Sequence, residues 1–305
     1  MPVAQEDVVT AYRLFLGRAP TPAAVEKIQQ TVADLSGLRR HLMSAPEFQV
    51  QLRHHRVDAW PQPDALVHLH VPRTGGTSLN TILSRNVAED EILSLGLHEI
   101  DELTALPPRD RQQKKLLFGH LEHGVARHLP QHSIYIALLR DPAARLFSIY
   151  GFLQHDPSGP LAAAAPGFGG FLRAALDDPD LRLEVDNGQT RRLAGQMHKP
   201  IVDYRSMFAM AMRNLVMPDM IIGTTERFEV LLYTLWSRGL IADAEDSFTP
   251  DADTGPACQA AIEGLDEAER GLLDSYCYWD RLLHRAAELL VDGTQCDIPD
   301  APEVA

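Results

Sequence analysis

The residues best able to do chemistry begin with Arg73-Thr74-Gly75-Gly76-Thr77-Ser78. Glycines let backbone N–H groups approach a ligand closely, and the N–H groups that open a helix lack intrahelical partners and sit at the positive end of its dipole. Thr77 and Ser78 add hydroxyl donors and Arg73 a charge-assisted one, so the chemistry on offer is anion binding. An ordinary strand-to-helix turn with Ser/Thr capping is the structural alternative. A Walker A loop would follow its last glycine with Lys and Ser/Thr, to reach the β- and γ-phosphates and Mg²⁺. Gly76 stands where that Lys would be, which disfavours ATP–Mg chemistry.

His120 is the second candidate. It follows the apolar run Lys115-Leu-Leu-Phe118, which reads as a short buried strand, and α/β folds place chemistry past the carboxyl ends of their strands. Its near-neutral pKa suits a general base for a hydroxyl. Glu122 and His123 are second choices. The third candidate is Arg140, at the end of the continuous apolar run Ser133-Ile-Tyr-Ile-Ala-Leu-Leu139, with Ser148 two turns into the helix that follows. Asp141 can cap that helix, Pro142 fits its first position, and Arg145 can pair with Asp141 at i,i+4. Arg191 and Arg192 precede an apolar pair, which turns at least one of them toward the core or a cleft; Arg191 is a candidate cofactor or acceptor contact.

The elements that must position these groups follow from the same patterns. Leu66 to Val71 is an alternating, β-branched strand, and Leu79, Ile82 and Leu83 give helical spacing after the loop. Residues 87–115 are polar, acidic and broken by Pro107-Pro108, with no strong strand. Residues 151–180 read as a long Ala/Gly/Pro-rich loop, either a lid or acceptor wall or a surface insertion. Met220 to Phe228 is a further strand leading into a helix over Glu229 to Ser237, with Glu226 holding a helix start. Residues 241–260 look acidic and irregular, and Leu265 to Leu290 is a helix whose Tyr276, Tyr278 and Trp279 are expected to pack in the core.

Two stretches resemble a known family. His70-Val-Pro-Arg-Thr-Gly-Gly-Thr-Ser-Leu79 is similar to the H-I-P-K-T-G-G-T-S loop of PAPS-dependent carbohydrate O-sulfotransferases, bacterial members included. Arg140 and Ser148 match, in type and spacing, the Arg and Ser with which that family binds the 3′-phosphate of PAPS. Softer likenesses are Gly119-His120 to the catalytic-base segment, Asn187-Gly-Gln-Thr-Arg191 to an N-x-Q-T-R segment, and Thr225-Glu-Arg-Phe228 to a T-E-R-F strand. The resemblance implies a three-layer, Rossmann-like, P-loop-type α/β fold with a parallel sheet. It also implies transfer of a sulfuryl group from PAPS to a hydroxyl, without a metal. Arg73, Thr74, Gly75, Gly76, Thr77, Ser78, Arg140 and Ser148 would then bind the cofactor, and His120 and Arg73 would be catalytic. Arg73 departs from the family's Lys: it can stabilise charge on the leaving oxygen but does not give up a proton.

Composition bounds the rest. At 305 residues and 45% hydrophobic content the chain can hold one large α/β domain and an added module. The boundaries read as a small all-α N-terminal module over 1–52, a linker over 53–64, the sulfotransferase-like domain over 65–292 and a loose tail over 293–305. In the module, helices are expected to end at Gly17, to open at Thr21-Pro22 and to span Ser36–Leu42, and the pattern Tyr12-Arg-Leu-Phe-Leu-Gly17-Arg18-Ala-Pro20 followed by Leu42-Met-Ser44-Ala-Pro-Glu47-Phe48 resembles a small helical module of bacterial glycan-modifying and secreted proteins. It reads as a docking or dimerisation module, or equally as a helical cap. His54 and His55 in the linker are expected to be solvated.

A net charge of −14 argues against a nucleic-acid or heparin-like partner and mildly favours a neutral or cationic acceptor. Three cysteines without C-x-x-C spacing, no signal-like N-terminus and no apolar run of about 18 residues suggest a cytoplasmic protein with no transmembrane segment. The acceptor is expected to be a hydroxyl-bearing carbohydrate, glycolipid precursor or small alcohol. A nucleotide or sugar kinase, and a non-catalytic nucleotide-binding protein, are the competing classes.

Overall fold

A computed structural model describes residues 3–16, 18–43, 45, 63–96, 100–154, 167–197, 203–242 and 254–296. The expected linker residues 53–62 with His54 and His55, the tail from residue 297, Gly17, most of 44–50 and residues 155–166 lie outside them. The chain divides into two compact units: Met1–Pro61 with Tyr233–Ser247 and Ile298–Ala305, and Gln62–Leu232 with Phe248–Asp297.

In the first unit α1 (Gln5–Leu16) packs on α2 (Pro22–Thr31) and α3 (Leu35–Met43), burying Val8, Tyr12, Ile28, Leu38 and Leu42. Thr21 caps α2 by accepting from the Ala24 amide at 3.2 Å, and Pro22 takes the first helical position, as the sequence predicts.

The second unit is built on β1 (Ala65–Leu69), every residue of which is buried. A strand covered on both faces needs a run of apolar residues, and Ala65-Leu66-Val67 supplies it. Beyond the loop come α4 (Gly76–Ser84), β2 (Ile92–Leu95), α5 (Ile100–Ala105), α6 (Pro108–Gln112), β3 (Leu116–Gly119) and β4 (Ser133–Leu139). The helices α7 (Pro142–Gln154), α8 (Gly167–Ala174), α9 (Pro179–Val185), α10 (Gly188–Ala194) and α11 (Tyr204–Leu215) precede β5 (Met220–Thr224). α12 (Phe228–Ser237), which belongs to this unit only as far as Leu232, α13 (Thr254–Glu263) and α14 (Glu267–Cys296) follow.

The described strands form one five-stranded parallel sheet in the order β2-β3-β1-β4-β5. β1 lies between β3 and β4, with Leu69 opposite Gly119 on one side and Ala137 on the other. The chain changes direction across the sheet at this point, so the carboxyl ends of β1, β3 and β4 open onto one crevice. On one face Val67, Leu69, Ala137 and Leu139 pack with Met207 and Ala211 of α11 and Leu283 and Ala287 of α14. The alternate residue His68 faces the other side, where it meets Asn80 of α4. The result is the three-layer α/β arrangement expected from the sequence, of P-loop type, preceded by an all-α N-terminal segment. Among the described residues no helix is long and apolar enough to cross a membrane.

Several sequence expectations are corrected. Ile92–Leu95 is a strand, although 87–115 showed no strong strand pattern; β2 is an edge strand with one neighbour and only Leu95 buried, so it needs no continuous apolar run. Within 151–180, α8 and α9 are helices, and the glycines of α8 disguise an i, i+3, i+4 set, Phe168, Phe171 and Leu172, that is buried with α7, α9 and α14. Thr254–Glu263 is also helical, with Pro256 tolerated in its first turn. α14 runs on to Cys296: Gly293 reads as a stop signal, but Leu283, Ala287 and Val291 anchor the helix just before it. Of the aromatic stripe, Tyr276 is buried and Trp279 packs on Phe208, but Tyr278 is exposed.

Candidate active site

The loop between β1 and α4 is shaped by two left-handed residues, Arg73 at φ 67° and Gly75 at φ 92°. Thr74 is buried and fixes the turn by donating its hydroxyl to the Val71 carbonyl at 2.9 Å. Thr225, just past β5, donates to the Thr74 carbonyl at 2.6 Å and to the Leu139 carbonyl at 3.1 Å, tying three strand ends together. Gly75 caps α4 without a side-chain hydrogen bond, so the opening N–H groups of α4 are left to the crevice, with Thr77 exposed and Ser78 half-buried beside them.

Arg73, Arg140 and Ser148 meet at the mouth of this loop. The Arg73 Nε donates to Ser148 Oγ at 3.0 Å, and its guanidinium lies 5.2 Å from the centre of the exposed Phe152 ring one turn further along α7. Arg140 donates from Nη1 to the Arg73 carbonyl at 3.1 Å. Its backbone is locked by Gln189 of α10, which accepts from the Arg140 amide at 3.0 Å and donates to the Arg140 carbonyl at 2.9 Å. Asp141 and Pro142 open α7 as expected, and Glu226 does hold a helix start, that of α7, by accepting from the Asp141 amide at 2.9 Å.

Arg145 does not pair with Asp141. It is fully buried, donating from Nε to the Pro72 carbonyl at 3.0 Å and from Nη2 to Glu184 Oε2 at 2.8 Å, while Arg192 donates to the other Glu184 oxygen. Burial opposes ionisation of Glu184, but the two guanidinium groups outweigh it and hold its pKa below the usual carboxylate range. Arg192 also donates to the Leu121 carbonyl at 3.0 Å, which anchors the segment after β3.

That segment carries His120, exposed at the crevice, with its ring 5.1 Å from and nearly perpendicular to that of His70. Partial burial, and then the Arg192 charge, lower the His120 pKa, with Glu184 opposing. The imidazole is therefore neutral at neutral pH, the form a general base requires. Glu122 and His123 turn instead toward the end of α10: Glu122 accepts from the Met197 amide at 2.6 Å, and the His123 amide donates to the Arg192 carbonyl at 2.8 Å while its ring packs on Tyr135. Arg191 is committed to Asp186, donating to its carbonyl at 2.7 Å and its carboxylate at 2.8 Å. Of the adjacent pair it is Arg192 that reaches the His120 segment.

Glu184, Gln189, Arg192, Thr225, His70 and Asn80 thus belong to the site, and sequence reading alone did not single them out. His70, Gln189, Arg192 and Thr225 lay within stretches already marked. Among the described residues no group of three or more His, Cys, Asp or Glu is placed to hold a metal ion.

No protein-family model matches the chain, and no curated protein sequence matches it. Among solved structures it is similar to mouse sulfotransferase SULT7A1 complexed with PAP, at 13% identity and a TM-score of 0.39, covering 80% of this chain and 95% of that one.

Proposed function

We propose that this chain transfers a sulfuryl group from PAPS to a hydroxyl of a glycan, glycolipid precursor or small alcohol, leaving adenosine 3′,5′-bisphosphate. The observation that carries the reading is the junction of Arg73, Arg140 and Ser148 at a phosphate-type loop with no Walker lysine. A nucleotide with both 3′ and 5′ phosphates needs two anion sites, and a kinase loop would need the lysine that Gly76 replaces.

The residues present fit such a cofactor. The left-handed backbone at Arg73 and Gly75 and the uncapped start of α4 suit the 5′-phosphate, with Thr77 and Ser78 as hydroxyl donors. Arg140 and Ser148 suit the 3′-phosphate. When bound, PAPS supplies a sulfuryl group on a phosphate leaving group. His120 accepts the acceptor's proton on a neutral ring nitrogen. Arg73 offers a fixed fork of donors to charge gathering on the leaving oxygen, and stabilises it without giving up a proton. The sulfuryl group carries less charge than a γ-phosphate, so these donors suffice without a metal clamp.

The test is calorimetric titration with adenosine 3′,5′-bisphosphate, without metal, beside adenosine 5′-monophosphate and the Arg140→Ala variant. Binding that requires both the 3′-phosphate and Arg140 supports the reading. Equal binding of the two nucleotides, or binding of neither, sinks it, and Mg-ATP is then the next ligand to try.

A further inference from the structure

Gly76 takes the position at which a Walker loop carries its lysine, and the space that lysine would enter is filled. A Cβ on Gly76 would lie 2.1 Å from Cδ2 and 2.6 Å from Nε2 of His70. The edge of the His70 imidazole therefore rests on the first residue of α4, at the opening of the phosphate loop.

The ring is held there from behind. Asn80, one turn into α4, has Nδ2 3.4 Å from His70 Nδ1 and Oδ1 2.5 Å from His68 Nδ1. His68 is wholly buried and its Nε2 has no hydrogen-bond partner, so its proton is on Nδ1, donated to the Asn80 oxygen. The Asn80 amide then presents its NH₂ to His70 Nδ1, which must be the unprotonated nitrogen. The His70 proton is left on Nε2, the atom at the Gly76 edge, and Nε2 has no hydrogen-bond partner among the described residues.

Building on the nucleotide reading above, we infer that His70 is an additional donor of the anion site: a neutral imidazole, its tautomer set by Asn80, that offers Nε2–H to the 5′-phosphate in place of the missing lysine. Burial, then the neighbouring His68, His120 and Arg192, bring the His70 pKa down to about 3, so the ring donates without carrying charge. The stacked His68 ring, 5.6 Å away, and the edge-on His120 ring keep it from turning.

Two ligands separate this from a structural role: adenosine 3′,5′-bisphosphate, and adenosine 3′-monophosphate, which lacks the 5′-phosphate. His70→Leu is expected to weaken the first about 10- to 100-fold, the scale of one hydrogen bond to a charged group, and to leave the second within about twofold. His70→Gln, which restores a donor, recovers most of the loss. In the wild-type chain, ¹⁵N NMR of the ring nitrogens should show His70 protonated on Nε2 at pH 7, with that resonance moving on addition of the bisphosphate and not of the 3′-monophosphate. Equal losses for both ligands, no loss, or an Nδ1-protonated ring overturns the inference. A wild-type chain that binds no bisphosphate overturns the nucleotide reading itself, a separate result that needs no variant.

Discussion

On the proposed reading, a single imidazole decides whether the crevice is a catalyst or a nucleotide cradle. His120→Ala is expected to reduce sulfuryl transfer by about two to four orders of magnitude while weakening bisphosphate binding far less, read by turnover with PAPS and by calorimetry. The pH profile carries a sign. Because the His120 pKa lies below 6.5, the base stays unprotonated at neutral pH and the rate falls only as pH drops below the ordinary histidine range. A limb centred above 6.5 would assign the base to another group. Gly76 is constrained just as tightly by its neighbour: Gly76→Ala drives a methyl into the His70 ring, which Asn80 keeps from swinging away. A loss of about 1–3 kcal/mol is expected, measured by urea unfolding.

At the scale of elements, two buried polar joints hold the crevice in shape. The first is Glu184 of α9 between Arg145 of α7 and Arg192 of α10, with both arginine side chains fully buried and Glu184 itself 20% exposed. Removing the shared carboxylate leaves two buried cations unpaired, so Glu184→Ala should cost about 3–5 kcal/mol by urea unfolding. The Glu184 pKa is lowered in the folded chain, so its stabilisation is full above the ordinary carboxylate range and is lost as pH falls through the depressed value. The second joint is Asn187, whose amide donates to the Ser275 carbonyl at 3.1 Å and accepts from the Trp279 amide at 2.7 Å, the i and i+4 partners of α14. One side chain is thus inserted into the ladder of the long helix.

What the sequence made legible divides along the same line. The β1-loop-α4 and β4-α7 units were readable because each is local: an apolar run, a turn and a capped helix lie within some twenty residues. The partners of Arg145 were not legible, because the local option, Asp141, is four residues away, while its actual partners Pro72 and Glu184 come from other elements. Arg191 and Arg192 are alike in sequence, and only the turn of α10 decides which faces the site. His70 sat inside the marked loop, but its contact with Gly76 is made by a ring crossing the turn, which no spacing rule encodes. The edge strand β2 and the glycine-rich α8 lacked the periodicity on which such readings depend.

For the molecule as a whole, buried histidines set the acid limit of stability. His68 has its pKa lowered from 6.5 to about 4 by burial, with its Asn80 hydrogen bond opposing. The unfolded chain therefore takes up a proton below pH 6.5 that the folded chain refuses until about pH 4, and stability falls as pH drops through that window, by about 3 kcal/mol from this residue alone. Urea unfolding between pH 7 and 4 should show the decline beginning before the carboxylates titrate, and His68→Phe should make it shallower, with His70 supplying part of what remains.

The reach of α14 has a further consequence. Its Asp280 accepts from the Gln189 and Thr190 amides at the start of α10, and its His284 pairs with Glu226, which holds the start of α7. The helices that carry Arg192 and Ser148 both depend on residues of α14, far along the chain from the loop. During synthesis, at about 5–20 residues per second, the phosphate loop leaves the ribosome roughly 10–40 seconds before the helix that braces its surroundings. For that interval the nascent chain holds a finished loop in an unfinished pocket, and on the proposed reading it cannot retain a nucleotide until α14 has been made.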